Sequence, residues 1–503
     1  MDGVSRSGKL TVFGLFAAQV RRAPDALAVT QDGRQWTYQD LDRRVRLTAA
    51  ALRAHGIRRG DRVVLLSENR HEYIEIELAA ALLGAIVACQ NWRLARDELR
   101  HCIQLVDPGL VVVSERFEDA LAQLGLSLPV RRIETLCDDD GETAQPDPDV
   151  DPEDGLVILY TSGTTGLPKG ALISHRAEIA RMAILRLDMH VTREDGFVAW
   201  APMFHMGSTD QMLAALMSGG AVHVVDGFDA RTIVALMKDY PIGWMILMPG
   251  SIEPVIDILA ETGIKPKSIR SVGAMADLVP TSQIARLSAL ANAPYFNSFG
   301  ATETGLTPAC GHLIPPGEVP DNLDKIQSSM CDVRLLDPDG NEVPDGEPGE
   351  VAVRGPSVFS GYWNAPDVNE RDFKDGWFRM GDLFVRTPEG RFRFVDRAKY
   401  MIKSGGENIY PAEIERVLLA DPRVREAVVV RRKDDRWGEV PVAFIAPVDG
   451  CEDLDADAVE AVCRISLAGY KRPKEVRFIA FEDFPRSTTG KIQRHEVERK
   501  FIG

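Results

Sequence analysis

The stretch ILYTSGTTGLPKGALISH, residues 158–175, constrains the fold most, because it sets a short apolar strand before a turn rich in Gly, Ser and Thr. Such a turn offers backbone N–H groups and hydroxyls that can wrap phosphate oxygens. A Walker phosphate loop needs Gly-Lys followed by Ser or Thr, whereas here Pro168 precedes Lys169 and Gly170 follows it. The stretch therefore predicts a phosphate site without the Walker helix cradle. A surface turn of the same composition is the alternative.

The length and charge of the chain limit the kind of protein it can be. Its 503 residues exceed a single hydrophobic core, so two or more domains are expected. An apolar share of 45% and a charged share of 27% are typical of globular proteins. The formal charge of −16 disfavours a general nucleic-acid or anionic-membrane surface. Any polyanion must then be held by a local site.

Cysteine usage and the N-terminal sequence bear on the compartment. Seven scattered cysteines without a C-x-x-C pair favour reduced, structural thiols over a disulfide framework or a zinc site. The segment LTVFGLFAAQVRRAPD has its charges after the apolar run, which indicates an amphipathic helix and not a signal peptide. No apolar run is long enough to span a bilayer. We therefore expect a cytoplasmic location, and a homodimer is left open.

The order of helical and β-rich patterns along the chain predicts an α/β fold. The first 130 residues alternate helical and β-rich patterns, and the acidic, proline-containing segment 137–155 is expected to be a solvated loop. From residue 331, short strands separated by D-G, E-G and P-G turns predict a β-rich subdomain. PAEIERVLLADP, with proline placed to start a helix, returns to a mixed pattern. We expect a large N-terminal domain with layered sheets and a small α+β C-terminal domain that begins near Lys399.

Six motifs together resemble the adenylate-forming superfamily of acyl-CoA synthetases, firefly-type luciferases and peptide-synthetase adenylation domains. They are YTSGTTGLPKG (160–170), PMFHMGS (202–208), NSFGATETG (297–305), GWFRMGDL (376–383), DRAKYMIKSGGENIYPAEIE (396–415) and PRSTTGKI (485–492). They cover most of the chain and follow the family's order. The resemblance implies an ATP-dependent, AMP-forming acid–thiol ligase that uses ATP, Mg²⁺ and CoA. A carboxylate would attack the α-phosphorus of ATP, and cations and oriented donors would stabilise the accumulating charge.

The resemblance also implies roles for individual residues. Glu303 would position Mg²⁺, and Thr302 would contact the α-phosphate. Asp382 would accept the ribose hydroxyls with Arg397 as its partner. The β- and γ-phosphates would be held by Thr161, Ser162, Gly163, Thr164, Thr165, Gly166 and Lys169. The rest of the nucleotide would contact Gly273, Ala274, Asn297, Ser298, Phe299, Gly300 and Ala301.

The second half-reaction would need a rearranged C-terminal domain. By resemblance, Lys491 bridges the carboxylate and the α-phosphate during adenylation. Lys399 is by resemblance the hinge residue, in a hinge (397–399) between the N-terminal domain (1–396) and a mobile C-terminal domain (400–503). Rotation would withdraw Lys491 and present Gly405 and Gly406 to the pantetheine arm of CoA. His205 is a candidate gate between the ATP side and the thiol tunnel, although a lone histidine in an apolar segment is usually just packed.

Segments that line the acyl pocket in similar enzymes contain no Lys or Arg here: 203–212, 244–250, 273–278 and 299–307. A second carboxylate on the substrate would lack a partner, which favours a hydrophobic monocarboxylic acid. Flexible methionines suit a bulky acid such as a polycyclic, terpenoid or aryl acid, although they could also be core filler. The predicted pocket residues are Met206, Gly207, Trp244, Met248, Met275 and Gly305.

Some positions depart from the family pattern around the adenylate. Phe299 stands where the family has Tyr, and Met380 where it has Thr, so two hydroxyls are lost. One hypothesis is that adenylation is impaired and the chain performs only the thioester step on a supplied acyl-adenylate. Loading of a separate carrier protein, luciferase-like oxidation and non-catalytic sensing of acyl-nucleotides also stay open.

Overall fold

The strand before the phosphate-like turn lies in a mixed sheet of the computed structural model, which describes residues 7–137, 141–161, 167–451, 454–486 and 492–502. The strands pair in parallel except for the last two, which are antiparallel. Their apolar runs, such as Val63–Leu66, are buried, as expected for a sheet covered on both faces. In sheet order the strands are Val130–Arg132, Leu110–Val113, Arg62–Leu66, Ile86–Cys89, Gly155–Thr161 and Lys169–Ser174.

Two further sheets and a short strand pair complete the layered N-terminal part. The first sheet has the order Arg34–Thr37, Leu27–Gln31, Val222–Val224, Phe197–Ala199. The second has the order Pro241–Met245, Ser268–Val272, Tyr295–Phe296, Leu313–Ile314. The antiparallel pair Phe299–Ala301 and Gly305–Ala309 carries residues 302–304 in its turn. This turn holds Thr302 and Glu303.

The predicted β-rich subdomain forms an antiparallel sheet. Its order is Asp332–Leu336, Pro348–Arg354, Trp377–Arg386, Phe373–Lys374, and Phe392–Arg397 also pairs with Trp377–Arg386. Asp382 and Arg397 are direct cross-strand partners in it. The sheet register thus brings together two residues that lie fifteen positions apart.

The C-terminal part has a sheet of its own, with the order Glu407–Ile409, Ile402–Ser404, Gly438–Pro447, Val424–Asp434; Glu475–Phe478 also pairs with Gly438–Pro447. The apolar clusters on its two faces draw only on residues after 401. The prediction of a large N-terminal domain with layered sheets and a small α+β C-terminal domain is thus confirmed. The exact boundaries at 396 and 400 stay predictions.

Helices begin where the sequence supplies caps. Thr37 forms a capping box with Asp40, and Pro411 occupies the first turn of its helix, as predicted. Val12–Arg22, the expected amphipathic helix, starts at the cap Thr11. Among the described residues, no helix is both long and apolar enough to cross a membrane. The helices are Val12–Arg22, Tyr38–Ala54, His71–Leu83, Arg96–Leu105, Glu118–Ala122, His175–Asp188, Met206–Ser218, Ala230–Asp239, Pro249–Thr262, Thr281–Ala291, Pro366–Asp372, Pro411–Leu419, Ala456–Ser466 and Arg494–Phe501.

Candidate active site

The phosphate-like turn connects two paired strands. Thr161 and Lys169 are cross-strand partners, the last pair of the two strands before the turn. The predicted phosphate ligands Ser162, Gly163, Thr164, Thr165 and Gly166 lie outside the described residues. Lys491 also lies outside them. The described ends of the loop nevertheless fix where its lysine stands.

Lys169 points at an aromatic ring. Its Nζ lies 3.8 Å from the centroid of the Tyr362 ring and 3.9 Å from Asp372 Oδ2. The side chain is only 18% exposed. Burial lowers the pKa of Lys169, and Asp372 and Glu303 oppose that shift. Lys169 is thus a partly desolvated cation, which interacts strongly with any phosphate brought to the loop.

Tyr362 joins this cation to the predicted metal residue. Its hydroxyl donates to Glu303 Oε1 at 2.7 Å while its ring faces Lys169. Burial and the Glu303 carboxylate raise the pKa of Tyr362, so the phenol remains a donor. The main chain next to Tyr362 is fixed as well, because Trp363 N–H donates to Gly170 C=O at 2.8 Å. Sequence reasoning missed Tyr362 within GPSVFSGYW, because a lone tyrosine in a strand-rich segment gives no functional signal.

The turn that bears Thr302 and Glu303 is held on both sides. Phe359 N–H donates to Glu303 C=O at 2.8 Å, and Arg181 donates to Thr302 C=O at 3.0 Å. One carboxylate beside a phosphate loop is the donor set that Mg²⁺ uses when substrate phosphates complete its coordination shell. Glu303 therefore fits Mg²⁺ held jointly with ATP.

Asp382 and Arg397 form an ion pair, with Arg397 Nε 3.1 Å from Asp382 Oδ1. The Asp382 side chain is 3% exposed and the Arg397 side chain is half-exposed. Asp382 raises the pKa of Arg397, to which the more distant Glu303 also contributes. Glu303 acts electrostatically on both Lys169 and Arg397, so the structure brings Lys169, Glu303 and the Asp382–Arg397 pair together.

The segment predicted to bind the rest of the nucleotide is apolar on one side. Phe299 packs against Phe384 and Phe394, with ring centroids 4.7 Å and 5.4 Å away. Gly300 approaches the opposite strand so closely that a Cβ there would lie 2.0 Å from Gly305 O. Ser298, Gly300 and Ala301 flank this aromatic group in the chain. The Phe299 side chain is thus held by rings from two strands of the β-rich subdomain.

Asn297 is turned away from the site. Its Oδ1 accepts from Lys325 Nζ at 2.6 Å, and its Nδ2 lies 3.1 Å from Leu323 O and 3.0 Å from His312 Nδ1. Lys325 is fully buried and also pairs with Asp277 Oδ2 at 2.7 Å. The carboxamide of Asn297 is thus hydrogen-bonded to groups inside the protein. To contact a nucleotide, the Asn297 side chain would have to break these hydrogen bonds. Sequence reasoning missed Lys325.

Gly273 and Ala274 are shaped by aromatic neighbours. Gly273 has φ of +82°, and a Cβ there would lie 2.2 Å from the Tyr295 ring. Trp244 Nε1 donates to Gly273 C=O, and the Tyr295 hydroxyl donates to Ala274 C=O, both at 2.7 Å. Because a side chain at position 273 would overlap the Tyr295 ring, only glycine fits there.

The predicted acyl pocket has a methionine-rich wall. Met206, Met248 and Met275 are half-buried and pack against the main apolar cluster, to which the buried Trp244 belongs. Met275 has φ of +51°, an unusual value for a residue with a side chain. Gly305 packs directly on Arg181, since a Cβ at 305 would lie 2.8 Å from its Cγ.

His205 caps the helix Met206–Ser218. Its Nδ1 accepts from the N–H of Gly207 at 3.2 Å. The ring is thereby oriented by the helix that begins beside it. This contact gives His205 a structural task, and its role as a gate stays a prediction.

The predicted hinge and CoA-facing loop are adjacent in the chain. Lys399 lies in the 3₁₀ turn Ala398–Tyr400, and its C=O accepts from Arg431 at 3.3 Å. Gly405 and Gly406 form a two-residue hairpin loop with φ of +59° and +91°, the backbone of a type I′ turn. Trp437 packs on Gly405, where a Cβ would lie 2.7 Å from the indole.

All seven cysteines of the chain are free thiols.

Comparisons with known proteins identify the family. The family model "AMP-binding enzyme" matches residues 16–363, and "AMP-binding enzyme C-terminal domain" matches residues 413–491. The chain belongs to the AMP-binding enzyme family. The predictions of an adenylate-forming fold and of an ATP-dependent acid–thiol ligase are thereby confirmed.

Individual relatives cover nearly the whole chain. It is 35% identical to an indoleacetate–CoA ligase of Aromatoleum aromaticum, over 95% of each chain. It is 33% identical to a feruloyl-CoA synthase of an Amycolatopsis species, over 97% of this chain and 99% of the relative. The solved o-succinylbenzoate CoA synthetase of Bacillus subtilis, in complex with ATP and magnesium ion, matches with a TM-score of 0.83 and 25% identity, over 96% of this chain and 99% of that one.

Proposed function

We propose that this AMP-binding enzyme is an acyl-CoA ligase that activates a hydrophobic, bulky monocarboxylic acid as its acyl-adenylate and transfers the acyl group to CoA. The observation that carries the proposal is the group formed by Lys169, Tyr362 and Glu303 beside the Asp382–Arg397 pair. Cations and a metal-binding carboxylate are gathered where the pyrophosphate of ATP would depart. ATP, Mg²⁺ and CoA are the implied co-substrates and cofactor, and a cytoplasmic location is proposed with them.

Within this proposal each residue has a defined task. Lys169 and Thr161 hold the β- and γ-phosphates with the rest of their loop, and Asp382 accepts the ribose hydroxyls. Mg²⁺, when bound by Glu303, supplies charge neutralisation for the departing pyrophosphate. Residues 397–399 form the hinge about which 400–503 rotate, so that Lys491 serves adenylation, and Gly405 and Gly406 serve the thioester step.

The preference for one carboxylate is supported by the bonding of Arg181, a buried arginine that packs against a residue of the predicted acyl pocket. Arg181 underlies Gly305, but its N–H groups already donate to Ser357 O, Asp210 Oδ2 and Thr302 O. A second carboxylate on the substrate would find no free cation there. Indoleacetate and ferulate, the acids of the two relatives, are aryl monocarboxylates, whereas o-succinylbenzoate carries two carboxylates.

The test is a mass-spectrometric screen of acids with ATP and CoA that records acyl-AMP and acyl-CoA separately. Matched pairs sharpen it: an arylpropanoate and its ring-carboxylated analogue differ only in the second charge. We expect acyl-CoA from the monocarboxylate and little from its partner. Equal turnover of both acids refutes the pocket argument, and the absence of any acyl-CoA product across the screen refutes the ligase.

A second candidate is the thioester step alone, on a supplied acyl-adenylate. The observations that favour it are Phe299 and Met380, where two hydroxyls of the family pattern are missing. ATP–pyrophosphate exchange with an accepted acid at an ordinary rate eliminates this candidate. Replacement of CoA by a carrier protein in the same assay decides between the two acceptors.

A further inference from the structure

Arg181 lies at the centre of the N-terminal part, on the helix His175–Asp188 that directly follows the strand of Lys169. Its side chain is 2% exposed. A buried guanidinium is costly unless its N–H groups are all directed at acceptors. Its partners therefore indicate what the arginine is for.

The guanidinium of Arg181 donates to three different segments. Nε donates to Ser357 O at 3.2 Å, Nη1 to Asp210 Oδ2 at 3.1 Å and Nη2 to Thr302 O at 3.0 Å. Asp210 belongs to the helix that His205 caps. Thr302 is the residue directly before Glu303. One rigid fork thus connects the helix of the acyl pocket with the turn that carries the metal-binding carboxylate.

The Thr302–Gly305 turn packs closely against Arg181. Gly305 has φ of +70°, and a Cβ there would lie 2.8 Å from both Cγ and Nε of Arg181. Ser357 lies within 3.2 Å of the Thr307 hydroxyl on the strand that leaves the turn. Because Phe359 N–H holds Glu303 C=O, the carbonyls of two successive residues, Thr302 and Glu303, are both fixed by donors from outside the turn.

The charge around Arg181 is unusual for a structural core. Asp210 and Glu178 lie 3.1 Å and 3.9 Å from it, and both are buried. Burial raises the pKa of both carboxyls, and Arg181 opposes the shift. Glu77, also buried, adds a further carboxyl to the cluster, and Asp210 contributes to the raised pKa of Glu77. Apolar side chains would fill this space at lower cost, so the arrangement is better explained by the positions that it enforces.

We propose that Arg181 is a positioning residue for adenylation, which holds the Thr302–Gly305 turn so that Thr302 and Glu303 face the α-phosphate and Mg²⁺ correctly. This inference rests on the proposed ligase function. It separates the two half-reactions, because the departing pyrophosphate and its metal belong only to the first. The thioester step, starting from acyl-adenylate, depends on the turn much less.

The experiment compares Arg181→Lys with Arg186→Lys, an exposed residue of the same helix. Lysine keeps the charge but not the three-way fork. Adenylation, measured as ATP–pyrophosphate exchange over a Mg²⁺ titration, is expected to fall by about a hundredfold with a raised Mg²⁺ requirement, the loss typical of a reacting group displaced by about 1 Å. The thioester step, measured with synthetic acyl-adenylate and CoA, is expected to stay within about tenfold of the unaltered enzyme. Arg186→Lys should match the unaltered enzyme in both.

Each outcome of the experiment supports or overturns either the proposed function or the positioning role of Arg181. If the unaltered enzyme makes no acyl-CoA from any acid, the proposed function fails, and the role of Arg181 falls with it. If it does, but Arg181→Lys adenylates with an unchanged Mg²⁺ requirement, only the positioning role is overturned. Arg181→Gln/Asp210→Asn, which removes both charges of the Arg181–Asp210 ion pair, is measured in parallel. Loss of both half-reactions in both variants assigns Arg181 to fold stability and also overturns the proposal.

Discussion

The two ends of the predicted nucleotide site are built differently. At the phosphate end, charged groups lie together: Tyr362 contacts both Lys169 and Glu303, and Glu303 helps to raise the pKa of Arg397. At the base end, aromatic rings lie together, and the charged pair of Lys325 and Asp277 lies behind. Under the proposed function, the charged groups would serve the end where the reaction develops charge, and the ring surface would serve the end that holds the base. Phe299, one of the two departures from the family pattern, belongs to the aromatic end.

Lys325→Met tests how far the base end depends on its buried pair, and has the largest expected effect. Removing one partner leaves Asp277 and the Asn297 carboxamide without their donor, at a cost of about 3–5 kcal/mol of unfolding free energy. Urea denaturation of the N-terminal transition measures it. Lys238→Met, an exposed lysine, is the control. The double variant with Asp277→Asn should recover part of the loss, and an unchanged midpoint in Lys325→Met would show that the pair contributes no stability.

Glu303→Gln tests the phosphate end. Loss of the proposed metal-binding carboxylate should reduce adenylation by about 10²–10³-fold, the range found when one preorganised charge-stabilising group is removed. ATP–pyrophosphate exchange at saturating Mg²⁺ measures it. Tyr362→Phe keeps the carboxylate and removes only its 2.7 Å donor, so its effect should be smaller. A Glu303→Gln enzyme with an ordinary exchange rate would refute the metal role.

Lys169→Met removes the cation of the loop. A hydrogen bond to a charged group is worth about 1.5–3 kcal/mol, so adenylation should fall by about ten- to a hundredfold. The measurement is kcat/KM for ATP, with the exposed Lys374→Met as the matched control. Equal losses in both variants would indicate a general electrostatic effect and not a phosphate contact.

Phe299→Tyr restores a missing hydroxyl and has the smallest expected effect. Its gain in ATP affinity is limited to the net value of one hydrogen bond, about 0.5–1.5 kcal/mol or about two- to tenfold. Phe299→Leu, which removes the ring contacts with Phe384 and Phe394, should weaken ATP binding more. If the tyrosine variant improves the KM for ATP far beyond tenfold, the base end depends on hydroxyls after all and the contrast between the ends fails.

Sequence reasoning could name the residues that are proposed to carry chemistry, because their motifs are contiguous. The cross-strand partnership of Asp382 and Arg397 was anticipated as a functional pair, and the register of the sheet produces it. Tyr362 and Arg181 were missed because neither lies in a motif: each acts on a segment more than fifty residues away. Asn297 shows the converse, since its motif suggested a ligand contact and its carboxamide is bound to Lys325.

The sequence by itself determined the family, the order of the elements and the identity of the charged groups, since these depend on local pattern and on short motifs. Only the tertiary structure decided which side chains form hydrogen bonds with these groups and their neighbours. Tyr362 reaches Glu303, Arg181 reaches Thr302 and Lys325 reaches Asn297 across long stretches of chain. A buried polar group must find its partner wherever the packing brings one, and that packing is set by the whole fold and not by the neighbouring residues.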